Sequence, residues 1–136
     1  MANEKTTEKT VDPQAVVMPV VAPLAGWLVP GAGHLIQRRW MRGGLIFISV
    51  TVMFFCGLGM QGKVYGFNLG DLLDMLGFIG DFGNGLLYLI ARSMDWGQSA
   101  IFRATADYGT KFLVCAGLLN VIAAIDAHQI AIGKKQ

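Results

Sequence analysis

"GGLIFISVTVMFFCGLGMQG", residues 43–62, is a run of 20 uncharged residues between Arg42 and Lys63. A helix rises about 1.5 Å per residue, so this run would be roughly 30 Å long, the thickness of the hydrocarbon core of a bilayer. An ordinary strand has only about 4–8 residues, so the run is too long for one. Residues 43–62 therefore predict a transmembrane helix.

The composition of the whole chain agrees with a membrane class. The 136 residues are 54% hydrophobic and 15% charged, with a mean hydropathy of +0.50, whereas soluble domains carry about 25% charged residues. We therefore expect an all-α integral membrane protein, with a polar N-terminal tail at 1–14 and a helical membrane domain at 15–136. The net charge of +2 includes no long basic block, so nucleic acid is not an expected partner.

Two further spans are predicted on either side of the first. The 25 residues between Asp12 and Arg38 carry no charge, and Pro19 and Pro23 within them predict a kinked helix. Near the C-terminus, 14 uncharged residues lie between Lys111 and Asp126. The prediction is thus about three transmembrane helices.

The middle of the chain, residues 64–111, predicts an interfacial or re-entrant helical segment. Asn68 is a good N-cap. The aspartates that follow it share one helical face, which is expected to be solvated and could alternatively attract cations; they are Asp71, Asp74 and Asp81. The apolar run after Asp81 has only 10 residues before Arg92, which is too short to cross a bilayer.

The positive residues give the expected orientation. Lys and Arg are enriched in cytoplasmic loops, and they cluster at Arg38, Arg39 and Arg42 and again at Lys134–Lys135. With three spans, both clusters are cytoplasmic if the N-terminus is outside and the C-terminus is inside.

One face of the last span carries small residues at helical spacing: Ala116, Asn120, Ala124, Ala127 and Ala131. Small residues let helices approach closely in a membrane, and an asparagine hydrogen-bonds across such a contact. We expect this face to pack against another helix.

The charged turn and the last span supply the candidate binding residues. Arg38, Arg39 and Arg42 either only orient the chain or contact an anionic lipid headgroup or an acidic partner, with Trp40 as the interface anchor. Asp126 lies near the end of the last span, where a carboxylate usually has a partner. It is expected either to pair with one of these arginines or to reach interfacial water.

The two histidines, His34 and His128, lack the accompanying ligands of a metal site, so no metal is predicted. Each is either an axial ligand of a pigment or haem or, more simply, a polar residue at the interface. No other cofactor is predicted.

No catalytic motif is present: the chain lacks a phosphate loop, H-E-x-x-H, G-x-S-x-G and C-x-x-C. We therefore expect a non-enzyme, and first a structural or accessory subunit that packs within a larger membrane complex, such as an energy-converting respiratory or photosynthetic assembly. The alternative is a lipid- or pigment-binding protein that uses the arginine turn or a histidine. A transporter or channel is disfavoured, because charged residues fall only near the ends of the predicted spans.

Two segments carry a family resemblance. "WLVPGAGHLIQRRWMRGGLIF", residues 27–47, resembles the glycine-rich charged turn of the two-transmembrane-helix domain proteins. "YGTKFLVCAGLLNVIAAIDAHQIAIGKK", residues 108–135, is similar to the C-terminal helix of an uncharacterised family of small bacterial membrane proteins that share a PGxGH turn. The resemblance implies an integral membrane protein with no assigned activity. For the chain as a whole we expect a location in the bacterial inner membrane, with membrane lipids and other membrane subunits as partners.

Overall fold

The computed structural model describes residues 12–97 and 104–134. Within these ranges the chain is helical and contains no strand. The helices, in chain order, are α1 (Pro13–Leu28), α2 (Ala32–Ile36), α3 (Trp40–Gly59), α4 (Leu72–Phe82), α5 (Leu86–Ser93) and α6 (Ala104–Ala131).

The longest helix, α6, is the centre of the fold, and α3 packs antiparallel to it. At one end of the pair, a Cβ added to Gly57 of α3 would lie 2.7 Å from the carbonyl oxygen of Gly109 in α6. At the other end, Arg42 of α3 and Asp126 of α6 line the same cleft. Both helices are long and apolar enough to cross a membrane, and α3 contains residues 43–59 of the run 43–62 that predicted a transmembrane helix.

The first two helices form a hairpin: the start of α1 and the end of α2 both lie near the C-terminal end of α6. Asp12 caps α1 by accepting from the backbone N–H of Gln14 at 3.0 Å. After α1 ends, Gly31 turns the chain with a φ of +78°, and α2 runs back until Ile36 lines a cleft with Pro13. The start of α1 and the end of α2 therefore lie at the same end of the molecule.

The α1–α2 hairpin differs from the single kinked span that was predicted between Asp12 and Arg38. α1 has 16 residues and is shorter than the helices that could cross a membrane. The 25 uncharged residues are shared between two helices because the turn at Pro30–Gly31 reverses the chain. Gly33 then packs so closely on α1 that an added Cβ would meet the carbonyl group of Ala22.

A second hairpin, α4–α5, enters from the opposite end. Its two helices are bent by 116°, and both contact the segment before α4. Lys63 Nζ lies 3.6 Å from Asp74 Oδ1 of α4, and the Tyr88 hydroxyl of α5 donates to the Tyr65 carbonyl oxygen at 3.2 Å. After α5, the Gly97 carbonyl oxygen accepts from the Val64 N–H at 2.9 Å. The pair thus begins and ends beside the same segment, in the region where an interfacial or re-entrant segment was predicted.

The cap of α4 is a correction to the sequence analysis. Asp71, not Asn68, is its N-cap and accepts from the Leu73 N–H at 2.9 Å. Asn68 instead accepts from the Gly70 N–H at 3.0 Å, in a local turn before the helix. Asparagine and aspartate stabilise caps and turns by the same type of side-chain acceptor, so spacing alone did not distinguish them.

In the described part of the chain, two helices, α3 and α6, are long and apolar enough to cross a membrane; the candidates become three if the bent pair α4–α5 is taken as one span. Of the predicted N-terminal tail, residues 1–11 lie outside the described ranges, and α1 begins at Pro13, two residues before the predicted boundary. The outward faces of α3 and α6 are apolar, with Leu45 and Ile122 both more than 60% exposed. Such faces fit a lipid environment.

Candidate functional site: two hairpin tips and a basic cleft

The tips of the two hairpins meet at Asn120 of α6. Its side-chain amide donates to the carbonyl oxygen of Trp27, at the end of α1, and to that of Gly83, after α4, both at 2.9 Å. The tips also contact each other, because the Trp27 indole N–H donates to the Phe82 carbonyl oxygen at 3.1 Å. One residue of the central helix therefore joins two hairpins that enter from opposite ends.

Glycines let the backbones come this close. Gly85, with a φ of +58°, lies so near the Trp27 carbonyl group that an added Cβ would overlap it. Gly117 of α6 lies equally near the carbonyl group of Gly80 in α4. Any side chain at these positions would push the tips apart.

The meeting point is near the middle of the α3–α6 pair. Gly109 contacts the last turn of α3, and Asp126 lies beside its first turn. Asn120 is within one helical turn of the midpoint between these two levels.

Three buried residues form what we call the tip cluster: Asp81, Asn84 and Asn120, each at most 1% exposed. Asp81 Oδ2 accepts from the Tyr65 N–H at 2.8 Å, and the Asn84 amide donates to the Leu113 carbonyl oxygen at 3.0 Å. Within the described ranges, the Oδ1 atom of each of the three accepts no hydrogen bond.

The burial of Asp81 corrects the prediction of a solvated acidic face. The face is amphipathic by sequence, but the 63–65 segment folds over it and gives Asp81 a backbone N–H. Nothing local to Asp81 marks this, since Tyr65 is 16 residues earlier in the chain.

The small-residue face of α6 packs within the chain itself. Ala116, Asn120, Ala124 and Ala127 are buried, and Ala131 is half-buried. Gly26 of α1 approaches Ala124, and Gly33 of α2 approaches Ala127. This face is occupied by α1–α4, so it no longer argues for a partner subunit.

The second feature is the basic cleft, an open cavity of about 360 Å³ lined by His34, Arg42, Leu45, Ile46 and Asp126. His34 is 1% exposed, and its Nε2 lies 2.9 Å from Asp126 Oδ2. Gln37 fixes the α2 segment beside it by donating to the carbonyl oxygens of Gly33 and Ala127, at 3.1 and 2.8 Å. The cleft thus joins α2, α3 and the end of α6.

Asp126 was predicted to pair with an arginine or to reach interfacial water. The structure places His34 against the carboxylate and Arg42 on the same cleft. His34 was assigned only as a pigment ligand or a polar interface residue. The two residues are 92 positions apart, and no sequence signal connects them.

The arginine turn is exposed beside this cleft. Arg38 adopts a φ of +59°, which ends the α2 segment before α3 begins. A shallow cleft of about 310 Å³ is lined by Arg38, Arg39, Trp40, Met41 and Arg42, and Trp40 is 70% exposed. The predicted lipid-contact residues are therefore together on one surface.

His128 has a structural partner in α1. Its Nδ1 lies 2.6 Å from the Pro19 carbonyl oxygen, which would normally accept from the N–H of residue 23. Pro23 has no N–H, so His128 supplies the missing donor, and its Nδ1 carries the proton. Among the described residues, no three His, Cys, Asp or Glu side chains are grouped to hold a metal ion.

Comparison with known proteins places the chain in a family. No curated protein and no solved structure matches it. One family model does match. It is that of an uncharacterised family, as the resemblance implied, and it gives no support for a two-transmembrane-helix domain. Residues 21–136, which include the tips of both hairpins and the basic cleft, match the model of a family of unknown function, DUF6677, and the chain belongs to that family.

Proposed function

We propose that the protein is a non-catalytic integral protein of the bacterial inner membrane whose arginine turn binds the headgroups of anionic lipids. The observation that carries this proposal is the grouping of three arginines with the exposed Trp40 at the end of two long apolar helices. Tryptophan favours the membrane interface, and arginine is attracted to the anionic cytoplasmic leaflet.

The orientation in this proposal revises the sequence analysis. The start of α1, the arginine turn and Lys134 all lie at the end of α6 where Asp126 is found. Since positive loops are cytoplasmic, this end is the cytoplasmic one. The α1–α2 hairpin then brings Pro13 to the cytoplasmic side as well, instead of leaving the N-terminus outside.

The chemistry of the turn suits a phosphate group. A guanidinium is planar and can donate two parallel hydrogen bonds to phosphate oxygens. Each arginine near an anionic surface contributes roughly 1 kcal/mol of attraction. Arg42 lines both the shallow cleft and the basic cleft, so a headgroup on the turn would also lie near His34.

The test compares the lipids that remain with the protein. Purified protein in nanodiscs of phosphatidylcholine with 20% phosphatidylglycerol or cardiolipin, on the order of one anionic lipid in five, should enrich the anionic lipid as measured by native mass spectrometry. Arg38→Gln/Arg39→Gln should lose the enrichment, and Arg38→Lys/Arg39→Lys should keep part of it. Lys134→Gln, which removes a charge at the same end, is the matched control. Equal enrichment in the double Gln variant and the control would reject the proposal.

A second candidate is an accessory subunit of a larger membrane assembly, for example an energy-converting respiratory or photosynthetic one. What favours it is a row of exposed apolar side chains on and before α4: Leu69, Leu72, Leu73, Leu76 and Ile79, each at least 55% exposed. Purification in mild detergent should then recover a defined second protein, and Leu72→Asn/Leu76→Asn should release it. A lone monomer would count against this candidate.

Pigment binding at the histidines has less support. His34 Nε2 faces Asp126, and His128 Nδ1 faces the Pro19 carbonyl oxygen. Axial ligation by His34 through Nε2 would first require its pair with Asp126 to break. The visible absorbance spectrum of the purified protein tests this alternative.

A further inference from the structure

We propose that the tip cluster binds one small monovalent cation of the Na⁺ class between α6 and the α4–α5 hairpin, through the Oδ1 atoms of Asp81, Asn84 and Asn120. This site is separate from the arginine turn and does not depend on lipid binding there. In the proposed membrane placement it lies near the middle of the bilayer.

The three Oδ1 oxygens are buried acceptors that have no hydrogen-bond donor in the described part of the chain. For the two asparagines this does not depend on how the amide is oriented, because the other side-chain atom faces backbone carbonyl oxygens. A flipped amide would place oxygen against oxygen. Buried polar atoms are nearly always paired, so these three indicate a ligand that accepts their lone pairs.

The three residues also lie close to one turn of the chain. Asp81 is in the last turn of α4, Asn84 is in the turn between α4 and α5, and Asn120 holds that turn through the Gly83 carbonyl oxygen. A Cβ added to Gly117, one turn before Asn120, would lie 3.0 Å from the Asn84 amide nitrogen. Both asparagines therefore lie in the same α4–α6 contact.

The charges around the tip cluster also favour a cation. Asp81 forms no ion pair with any residue in 12–97 or 104–134, and the nearby Lys63 contacts Asp74 instead. The C-termini of α1 and α4 both end at the tips, and the C-terminus of a helix carries partial negative charge. The N-terminus of the shorter α5 offsets one of them, which leaves a net preference for a cation.

The donor set selects the kind of cation. All three atoms are oxygens, the ligands of hard cations, and only one belongs to a carboxylate. A Ca²⁺ or Mg²⁺ site would need more negative charge, whereas one carboxylate balances one monovalent ion. Broken helices near the bilayer midplane coordinate Na⁺ or H⁺ in secondary transporters, so the arrangement has a physical precedent.

The direct experiment measures binding of ²²Na⁺ to the wild-type protein in detergent by scintillation proximity. Displaceable, saturable binding that NaCl competes away and choline chloride does not is the expected result. No displaceable ²²Na⁺ would overturn the proposal and would assign the cluster to ordered water only. Neutral detergent without anionic lipid keeps this result independent of the arginine turn.

A matched pair of variants locates the site. Asp81→Asn removes the one carboxylate and should weaken Na⁺ binding about tenfold or more, whereas Asp74→Asn, on the same helix, should bind as the wild type does. Trp27 fluorescence, in a Trp40→Phe/Trp96→Phe background, should change with NaCl at constant ionic strength, because its indole contacts the bend. Equal ²²Na⁺ affinity of the two aspartate variants would overturn the assignment. If Asp81→Asn does not fold, Asn84→Ala replaces it with the same expectation.

Discussion

The Asn120 amide donates to the Trp27 carbonyl oxygen at 2.9 Å, across 93 residues of sequence. The same amide holds the Gly83 carbonyl oxygen, so the central helix, the end of α1 and the α4–α5 bend depend on one side chain. Asn120 was expected to hydrogen-bond to another helix. The structure adds that it serves two hairpins at once.

Replacement of Asn120 should therefore be costly. Asn120→Ala leaves two carbonyl oxygens without their donor from α6, and each unsatisfied buried group costs about 1–3 kcal/mol. We expect the free energy of unfolding in detergent to fall by about 2–4 kcal/mol. Gln129→Ala, at an exposed position of the same helix, should change it by less than about 0.5 kcal/mol. Similar losses in both variants would contradict the joint role of Asn120.

Glycine substitutions should separate close contacts from helix propensity. Gly117→Ala should destabilise by about 1–3 kcal/mol, because the new Cβ meets the Gly80 carbonyl group. Gly44→Ala, where no atom lies within 4 Å of an added Cβ, should instead stabilise α3 by up to about 1 kcal/mol. Thermal unfolding in one detergent measures both. A stabilised Gly117→Ala protein would contradict the close approach of α4 to α6.

His128 and Pro23 should be energetically coupled. His128→Ala removes the donor to the Pro19 carbonyl oxygen and should cost about 1 kcal/mol. In a Pro23→Ala background the restored N–H of residue 23 can bond that carbonyl, so the same histidine change should cost less. A double-mutant cycle on unfolding free energies measures the difference. Strictly additive effects would show that Pro23 is not the reason for this contact.

His34 and Asp126 in the basic cleft should be energetically coupled. His34→Gln and Asp126→Asn should not be additive, and their interaction energy should be about 0.5–3 kcal/mol. A parallel cycle with Arg42→Gln and Asp126→Asn tests whether the arginine contributes as well. Zero coupling in the histidine cycle would mean that the 2.9 Å contact adds nothing to stability.

Labelling of single cysteines should report the hairpin topology. In a chain with Cys56 and Cys115 replaced by Ser, Gln14→Cys and Lys134→Cys should react with an impermeant maleimide from the same side of sealed vesicles. Leu69→Cys, at the other end of the molecule, should react only from the opposite side. Reaction of Gln14→Cys from the side of Leu69→Cys would restore α1 as a full span.

The two long helices were predictable because charge and length determine them. α3 contains most of the uncharged run between Arg42 and Lys63, and α6 contains all of the run between Lys111 and Asp126. The N-terminal span was predicted from the same kind of uncharged run, but the length of that run did not give one continuous helix. An apolar run of 25 residues can cross once or turn back halfway, and only contacts such as that of Gly33 with Ala22 distinguish the two.

The binding residues were less predictable, because their partners are far away in sequence. Arg38, Arg39 and Trp40 share a surface since they are neighbours in the chain. His34 and Asp126, in contrast, meet across 92 residues, and Asp81 is buried by a loop that packs over it. Periodicity describes one helix at a time and cannot show which face a distant segment will cover.

The antiparallel contact of α1 with α6 also sets the order in which the chain can fold. A ribosome makes α1 before α6. Two carbonyl oxygens of α1 nevertheless have their partners in α6: Trp27 accepts from Asn120, and Pro19 accepts from His128. Until α6 is made, the first hairpin lacks these partners. Contacts of such large sequence separation slow folding, so completion of the α1–α2 hairpin is a late step that waits for α6.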